Sequence, residues 1–360
     1  MTSSRLRVSL LGLLVAACTA APAAPTTSNS SSGSSSGAAT TAVGSSEGHG
    51  SADVTATNDD GVDGSHGDSG TSSGSDSGGV EQHPAVAAFW VAFLAEDYAA
   101  LPELIAQLDA AALAHPDDPE IALIRAHANL WRLAEFERDP GQGGAVQAMS
   151  AMAAIEAFTT ARALAPDDGR IPCWLGIVEI NTGTVIGDAA MIAQGHADVD
   201  ASVESFPEFS LFCRMLEYEN EPYDSAEFQL AVDALWQTLD LCFGESVDRQ
   251  APELSAYLDQ QTDAGPKRVC WNLQPKAVHN WQGFLLHAGD VIAKTGDAEV
   301  ASILYEDAQL LDWRSWPHQD LVDERLADVV DRAASYADAD PTNDAEIGSG
   351  VYNCAMCHGE

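Results

Sequence analysis

Residues 154–176 read AIEAFTTARALAPDDGRIPCWLG, and this stretch decides the fold. Ala154, Phe158 and Ala161 recur at steps of four and three, the spacing that stacks side chains on one face of an α-helix. Pro166 stops the run, because a proline cannot continue a helix, and Leu175-Gly176 follows at the offset expected for a next unit of the same kind. Outward from here the helical pattern continues almost throughout. Val322, Leu326, Val329, Val330 and Ala333 share one helix face. Asp118-Pro119-Glu120 supplies a capping Asp, a proline at the first helical position and an acidic first turn. Pro207, Pro222, Pro252 and Pro317 punctuate in a similar way, and alternating strand patterns of useful length are absent. Residues 83–337 are therefore expected to form an all-α body with a real core.

The grammar recurs. Gly289, Gly296, Ala301, Tyr305 and Ala308 repeat it with a first helix included, and Ala111 with Pro116 gives a weaker copy in which Leu104 and Leu108 replace the Ala and aromatic. These stretches resemble the tetratricopeptide repeat, a helix–turn–helix unit. Small Gly and Ala let paired helices approach, and the aromatic fills the gap between units. The resemblance implies a degenerate helix-turn-helix array that binds a protein partner. The copies are irregularly spaced and residues 184–275 break the register, so a compact array is expected rather than a regular superhelix. Trp131, Trp174, Trp236, Trp271, Trp281, Trp313 and Trp316 read as core or inter-repeat packing, with a ligand groove as the alternative.

At the other end, Arg5 and Arg7 precede an apolar run, Val8 to Ala17, that is too short to span a bilayer. Val15-Ala16-Ala17-Cys18 resembles a bacterial lipobox, which implies cleavage after residue 17 and lipidation of Cys18. Thr19 lacks the acidic character of the common inner-membrane retention signal, so an outer-membrane lipid anchor is favoured. Residues 18–82 are rich in Ser, Gly, Thr, Ala and Asp and are expected to be a disordered tether, with a reach of roughly 45 Å as a flexible coil. His49 and His66, set among its Asp residues, read as part of a solvated leash.

The formal net charge is −39 and the chain holds three lysines. Such a surface repels nucleic acid and anionic head groups, and it either steers a basic redox protein or maintains solubility. Four cysteines, Cys173, Cys213, Cys242 and Cys270, permit three pairings. Cys242 with Cys270 is favoured, since it would staple a poorly patterned segment and contribute about 3.5 kcal/mol on the chain-entropy estimate. Within the body no metalloprotease, nucleophile-elbow or phosphate-loop pattern occurs. His127 shares a helix face with Trp131, and His279 and His287 flank a helix start; each alone reads as structural. No catalytic residue is assigned, and the chain is not expected to be an enzyme.

The tail, residues 338–360, carries the sharpest motif. Cys354-Ala-Met-Cys357-His358 has the spacing of covalent c-type haem attachment, in which two thiols add across the vinyl groups and the adjacent imidazole reaches the iron. Residues 347–359, IGSGVYNCAMCHG, resemble the opening of a class I cytochrome c domain. The resemblance implies one haem c, with Cys354 and Cys357 as thioether residues, His358 as proximal iron ligand and Tyr352 in the aromatic position. That family continues into an enclosing fold with a distal Met, whereas Gly359 and Glu360 end this chain.

Three arrangements stay open: a haem docked against the body, a truncated cytochrome domain, and a haem-free disulfide or metal clip. For a docked haem, His279, His287, His318, Met191 or Met215 would supply the sixth ligand, and Met356 is badly placed inside the attachment loop. The expected role is electron transfer or haem-linked protein binding in the cell envelope. A haem-free scaffold is the rival, and a peroxidase with an open iron position comes third.

Overall fold

The computed structural model describes residues 82–139, 141–337, 343–348 and 353–359. The expected signal peptide (residues 1–17), Cys18, nearly all of the expected tether (residues 18–82) and Tyr352 lie outside the described residues. Everything described is helix and connecting turn. The helices are α1 (Pro84–Leu94), α2 (Leu101–Ala114), α3 (Pro119–Ala134), α4 (Gly144–Leu164), α5 (Arg170–Ile186), α6 (Ala189–Ser205), α7 (Pro207–Tyr218), α8 (Ala226–Phe243), α9 (Asn280–Lys294), α10 (Ala298–Asp307), α11 (Gln319–Ala337) and one terminal turn, α12 (Ala355–His358). Among the described residues strand pairing is limited to an isolated bridge between Leu273 and Ala277. No described helix is long and apolar enough to cross a membrane.

The helix ends follow from local chemistry. Asp118 accepts hydrogen bonds from the amides of Glu120 and Ile121 at 2.9 and 3.2 Å, which caps α3. Asp188 does the same for α6, and Ser225 and Asp297 cap α8 and α10. Gly187 and Gly244 end α5 and α8 with φ of 73° and 77°, a left-handed conformation that costs glycine nothing.

The helices pack as successive hairpins: α3 on α4, α5 on α6, α7 on α8, α9 on α10. The second helix of a hairpin also packs on the first of the next, most sparingly between α8 and α9. There residues 244–279 intervene, formed of turns and two 3₁₀ segments and closed by the Cys242–Cys270 disulfide. A second disulfide, Cys173–Cys213, ties α5 to α7. Helical pairing thus runs straight through residues 184–243, where the sequence pattern suggested a break, and the irregular stretch is confined to 244–279.

The reason lies in α5 and α6, which use glycine crossings in place of the Ala/aromatic grammar. A Cβ on Gly176 would lie 2.5 Å from the Gly195 carbonyl oxygen, and one on Gly195 would lie 2.6 Å from the Gly176 carbonyl oxygen. Gly176→Ala is expected to cost about 2–3 kcal/mol, because backbone rather than a flexible side chain must move; chemical denaturation of the variant checks this.

Ala154, Phe158, Ala161 and Leu175 are all fully buried in one alanine-rich core. Tyr305 lies flat against Gly289, where a Cβ would meet the ring at 2.2 Å. Trp131, Trp236, Trp271, Trp281 and Trp316 are buried, whereas Trp174 stays partly accessible.

One buried acid sets a pH dependence. Glu179, 8% exposed on α5, has its carboxyl raised to about 7, by burial first and then by the neighbouring Asp198. Asp198 itself accepts two hydrogen bonds from Arg162, at 2.7 and 2.8 Å. A carboxyl whose folded pKa is raised contributes fully below its unfolded value and loses that contribution as pH rises through 7. Glu179→Gln keeps a donor towards Asp198 without the ionisation. It is expected to match the parent near pH 5 and to exceed it at pH 8 by on the order of 2 kcal/mol, as measured by denaturation at the two pH values. Asp307, also raised to about 7 by burial, keeps its own contribution of the same sign in both proteins.

Candidate functional site

The terminal motif is built into the body by two buried carboxylates. The first is Asp290 on α9, which has no exposed surface. Its Oδ1 accepts from the Tyr305 hydroxyl at 2.6 Å, Arg332 at 2.9 Å and Arg325 at 3.1 Å, and its Oδ2 accepts from the Gly348 amide at 2.8 Å. The two arginines then donate onward to the chain leading into the motif, Arg325 to the Gly348 carbonyl at 2.8 Å and Arg332 to the Glu346 carbonyl. Tyr336 donates to the Ala345 carbonyl at 2.5 Å. A buried carboxylate between two guanidinium groups is stable only with its hydrogen bonds complete, and here the approach segment completes them.

The second is Glu135, at the C-terminal end of α3 and fully buried. Its Oε1 accepts from the amides of Cys354 and Ala355, both at 2.8 Å. Its Oε2 accepts from the Trp131 indole at 2.8 Å and from Arg138 at 3.0 Å. A carboxylate is thus satisfied on both oxygens while fixing the first amides of α12. Three more contacts hold the turn. The Trp316 indole donates to the Met356 carbonyl at 2.7 Å, and the His279 amide donates to the Cys357 carbonyl at 2.9 Å. Met356 is 2% exposed within the large C-terminal core. Gly283 on α9 admits the turn, since a Cβ there would lie 2.4 Å from the Cys357 sulfur.

Cys354 and Cys357 are both free thiols at the two ends of this turn, unlike the four bridged cysteines. Burial raises the Cys357 thiol to about 12, and burial together with Glu135 pushes Cys354 well above its ordinary value. His358 packs its ring on Phe93 with centroids 5.0 Å apart. Its Nδ1 bonds the Lys276 carbonyl, which can only accept, so Nδ1 carries the proton and Nε2 keeps its lone pair. Burial lowers the His358 pKa, an effect partly offset by that carbonyl.

These features constrain the chemistry. Thiols that resist ionisation are poorly suited to disulfide exchange, which needs a depressed pKa. Zinc needs four ligands, and among the described residues no group of three or more His, Cys, Asp or Glu side chains is arranged to hold an ion. Two neutral, closely spaced thiols beside an imidazole with a free Nε2 do fit thioether attachment of a porphyrin and ligation of its iron.

The other sequence candidates scatter. His287 is bound to Glu219 at 2.5 Å, and Met215 is fully buried between α7 and its neighbours. His318 faces Glu96 at 3.1 Å. Met191 lies in the first turn of α6, its amide capped by Asp188. His279 touches the turn through its backbone, on the same segment as Lys276. Sequence reasoning missed Glu135, Asp290 and Gly283. With 55 acidic residues in the chain, two more buried carboxylates carried no signal. Comparison with family models, curated proteins and solved structures returned no match.

Proposed function

We propose that this chain is a lipid-anchored cell-envelope protein that carries one covalent haem c and serves electron transfer or haem-linked protein binding. The observation that supports it most is the state of the tail: two free cysteines and His358 on a single turn, held by Glu135, with the imidazole Nδ1 committed to a backbone carbonyl. Cys354 and Cys357 would hold the porphyrin as thioethers, and His358 Nε2 would bind its iron. Bound there, a haem supplies a reversible one-electron change at iron. The chain's own part is to orient the ligand and exclude water. Lys276 fixes the tautomer, Phe93 supports the ring, and Glu135 with Asp290 prevents the turn from swinging into solvent. The anionic surface would draw a basic redox protein, and the Cys18 lipid with its tether would keep the site at the membrane.

The successive hairpins support a degenerate tetratricopeptide-like array as the framework. The test is the absorbance spectrum of protein matured in a host competent for c-type cytochromes. A Soret band that survives acidified organic extraction is expected, and an extractable or absent chromophore overturns the reading. One observation favours a second reading, a haem-free scaffold. Trp174, Phe209, Phe212 and Phe284 form a chain of partly accessible rings with centroids 6.3–6.4 Å apart across α5, α7 and α9, an apolar band suited to a partner segment.

A further inference from the structure

Three helices of this chain end at a glycine in the left-handed conformation, and one ends at a glutamate in the same conformation. Gly187, Gly244 and Gly296, with φ of 73°, 77° and 91°, follow α5, α8 and α9. Glu96 takes that place after α1 with φ of 52°, and among the described residues it alone, glycine apart, has a positive φ. The hydrogen bonds around it are those of a glycine-terminated helix. The Asp97 amide donates to the Ala92 carbonyl at 2.8 Å, and the Glu96 amide donates to the Phe93 carbonyl at 3.2 Å. A residue with a Cβ costs such a turn roughly a factor of five or more in the folding equilibrium. Nothing in the turn itself calls for a carboxylate.

The side chain accounts for the choice. Glu96 Oε1 accepts from His318 Nε2 at 3.1 Å, since a carboxylate cannot donate. The two side chains are 16% and 8% exposed. The same oxygen fills the space beside Gly359, where a Cβ would lie 2.2 Å from it and 2.9 Å from the Ala355 carbonyl oxygen. Glu96 therefore meets the tail one position beyond His358. Its backbone serves the tail as well. The Glu96 carbonyl accepts from Arg138 at 2.7 Å, and Arg138 also donates to Glu135, the anchor at the other end of the motif. Phe93, close before Glu96 on α1, packs on His358. His318 stands two residues after Trp316, whose indole holds the Met356 carbonyl. Backbone strain of this kind persists where the surrounding structure over-determines it. Here the end of α1, the α10–α11 connection and the tail all converge on one residue.

We propose that Glu96 is a positioning residue for the terminal motif: its carboxylate, backed by His318, holds Gly359 and thereby keeps the His358 ring on Phe93. The glutamate is retained in a glycine position for that purpose. The inference rests on the turn at 354–358 being the functional site, and it does not depend on a haem being attached there.

The test compares Glu96→Gly and Glu96→Ala with the parent, in the full chain kept free of haem. Both variants remove the carboxylate, and only glycine also relieves the backbone. By urea denaturation, Glu96→Gly is expected to exceed Glu96→Ala in folding equilibrium constant by roughly fivefold or more. At the tail the two are expected to behave alike. The ring protons of His358, shifted in the parent by the ring current of Phe93, are expected to move in the NMR spectrum to the positions of an unrestrained histidine. Amide hydrogen exchange across residues 355–359 is expected to rise by about tenfold or more. His358 resonances and exchange rates in Glu96→Gly equal to those of the parent would reduce Glu96 to a helix terminus and overturn the assignment. Covalent haem is scored separately, by mass in matured protein, so failure of the haem reading and failure of this one are distinguishable.

Discussion

Asp290→Ala is expected to destabilise the body by about 3–5 kcal/mol and to release the tail. Removal of one member of a buried ion cluster leaves the others uncompensated, which is what sets that magnitude. Arg325 and Arg332 are 3% and 6% exposed, so neither reaches water without local unfolding. Arg325 would keep Glu324 at 3.1 Å and both arginines their carbonyl partners, but Tyr305 and the Gly348 amide would lose their acceptor. The loss is therefore felt twice, in the packing of α9 against α11 and in the chain that leads to the motif. Urea denaturation measures the first. For the second, alkylation of Cys354 and Cys357 in protein kept free of haem is expected to accelerate by tenfold or more, on the order of one pKa unit of restored thiolate or more. Unchanged alkylation with lowered stability would show that the tail is held by other contacts.

Glu135→Ala is the second large effect, also about 3–5 kcal/mol, with a different signature. The carboxylate accepts from four donors and pairs with Arg138, whose side chain is 17% exposed and which also donates to the Glu96 carbonyl at 2.7 Å. Its removal strands the Trp131 indole and the two leading amides of α12. Glu135→Gln separates charge from shape. It can keep one oxygen on the amides, but it then turns an NH₂ towards two donors, and a cost of about 2–3 kcal/mol is expected. Hydrogen exchange across residues 353–359 is expected to rise in both variants, more in the alanine. Protection equal to that of the parent would remove Glu135 from its role as anchor.

The all-α class was legible because the apolar period and the proline and Asp caps state it locally, as at Asp118-Pro119-Glu120. The α4–α5 junction at 154–176 was legible for the same reason. The α5–α6 hairpin was not, since Gly176 and Gly195 reveal their contact only when two distant turns are brought together. The motif at 354–358 was legible as spacing alone. Its docking was hidden in long-range pairs, Glu135 with Cys354 and Asp290 with Gly348, whose members look like any other residue in so acidic a chain. His127 was visible as a neighbour of Trp131 on one helix face, and its ring packs on Phe158 and Trp174.

The central claim, that a haem is covalently joined to a turn locked into the helical body, is tested most directly by intact-mass measurement of denatured protein matured in a cytochrome-competent host. The expected result is a mass increased by one haem, with the addition confined to the peptide containing Cys354 and Cys357. A mass equal to the polypeptide alone apart from any N-terminal lipid, with those two cysteines alkylatable or bridged to each other, would contradict it.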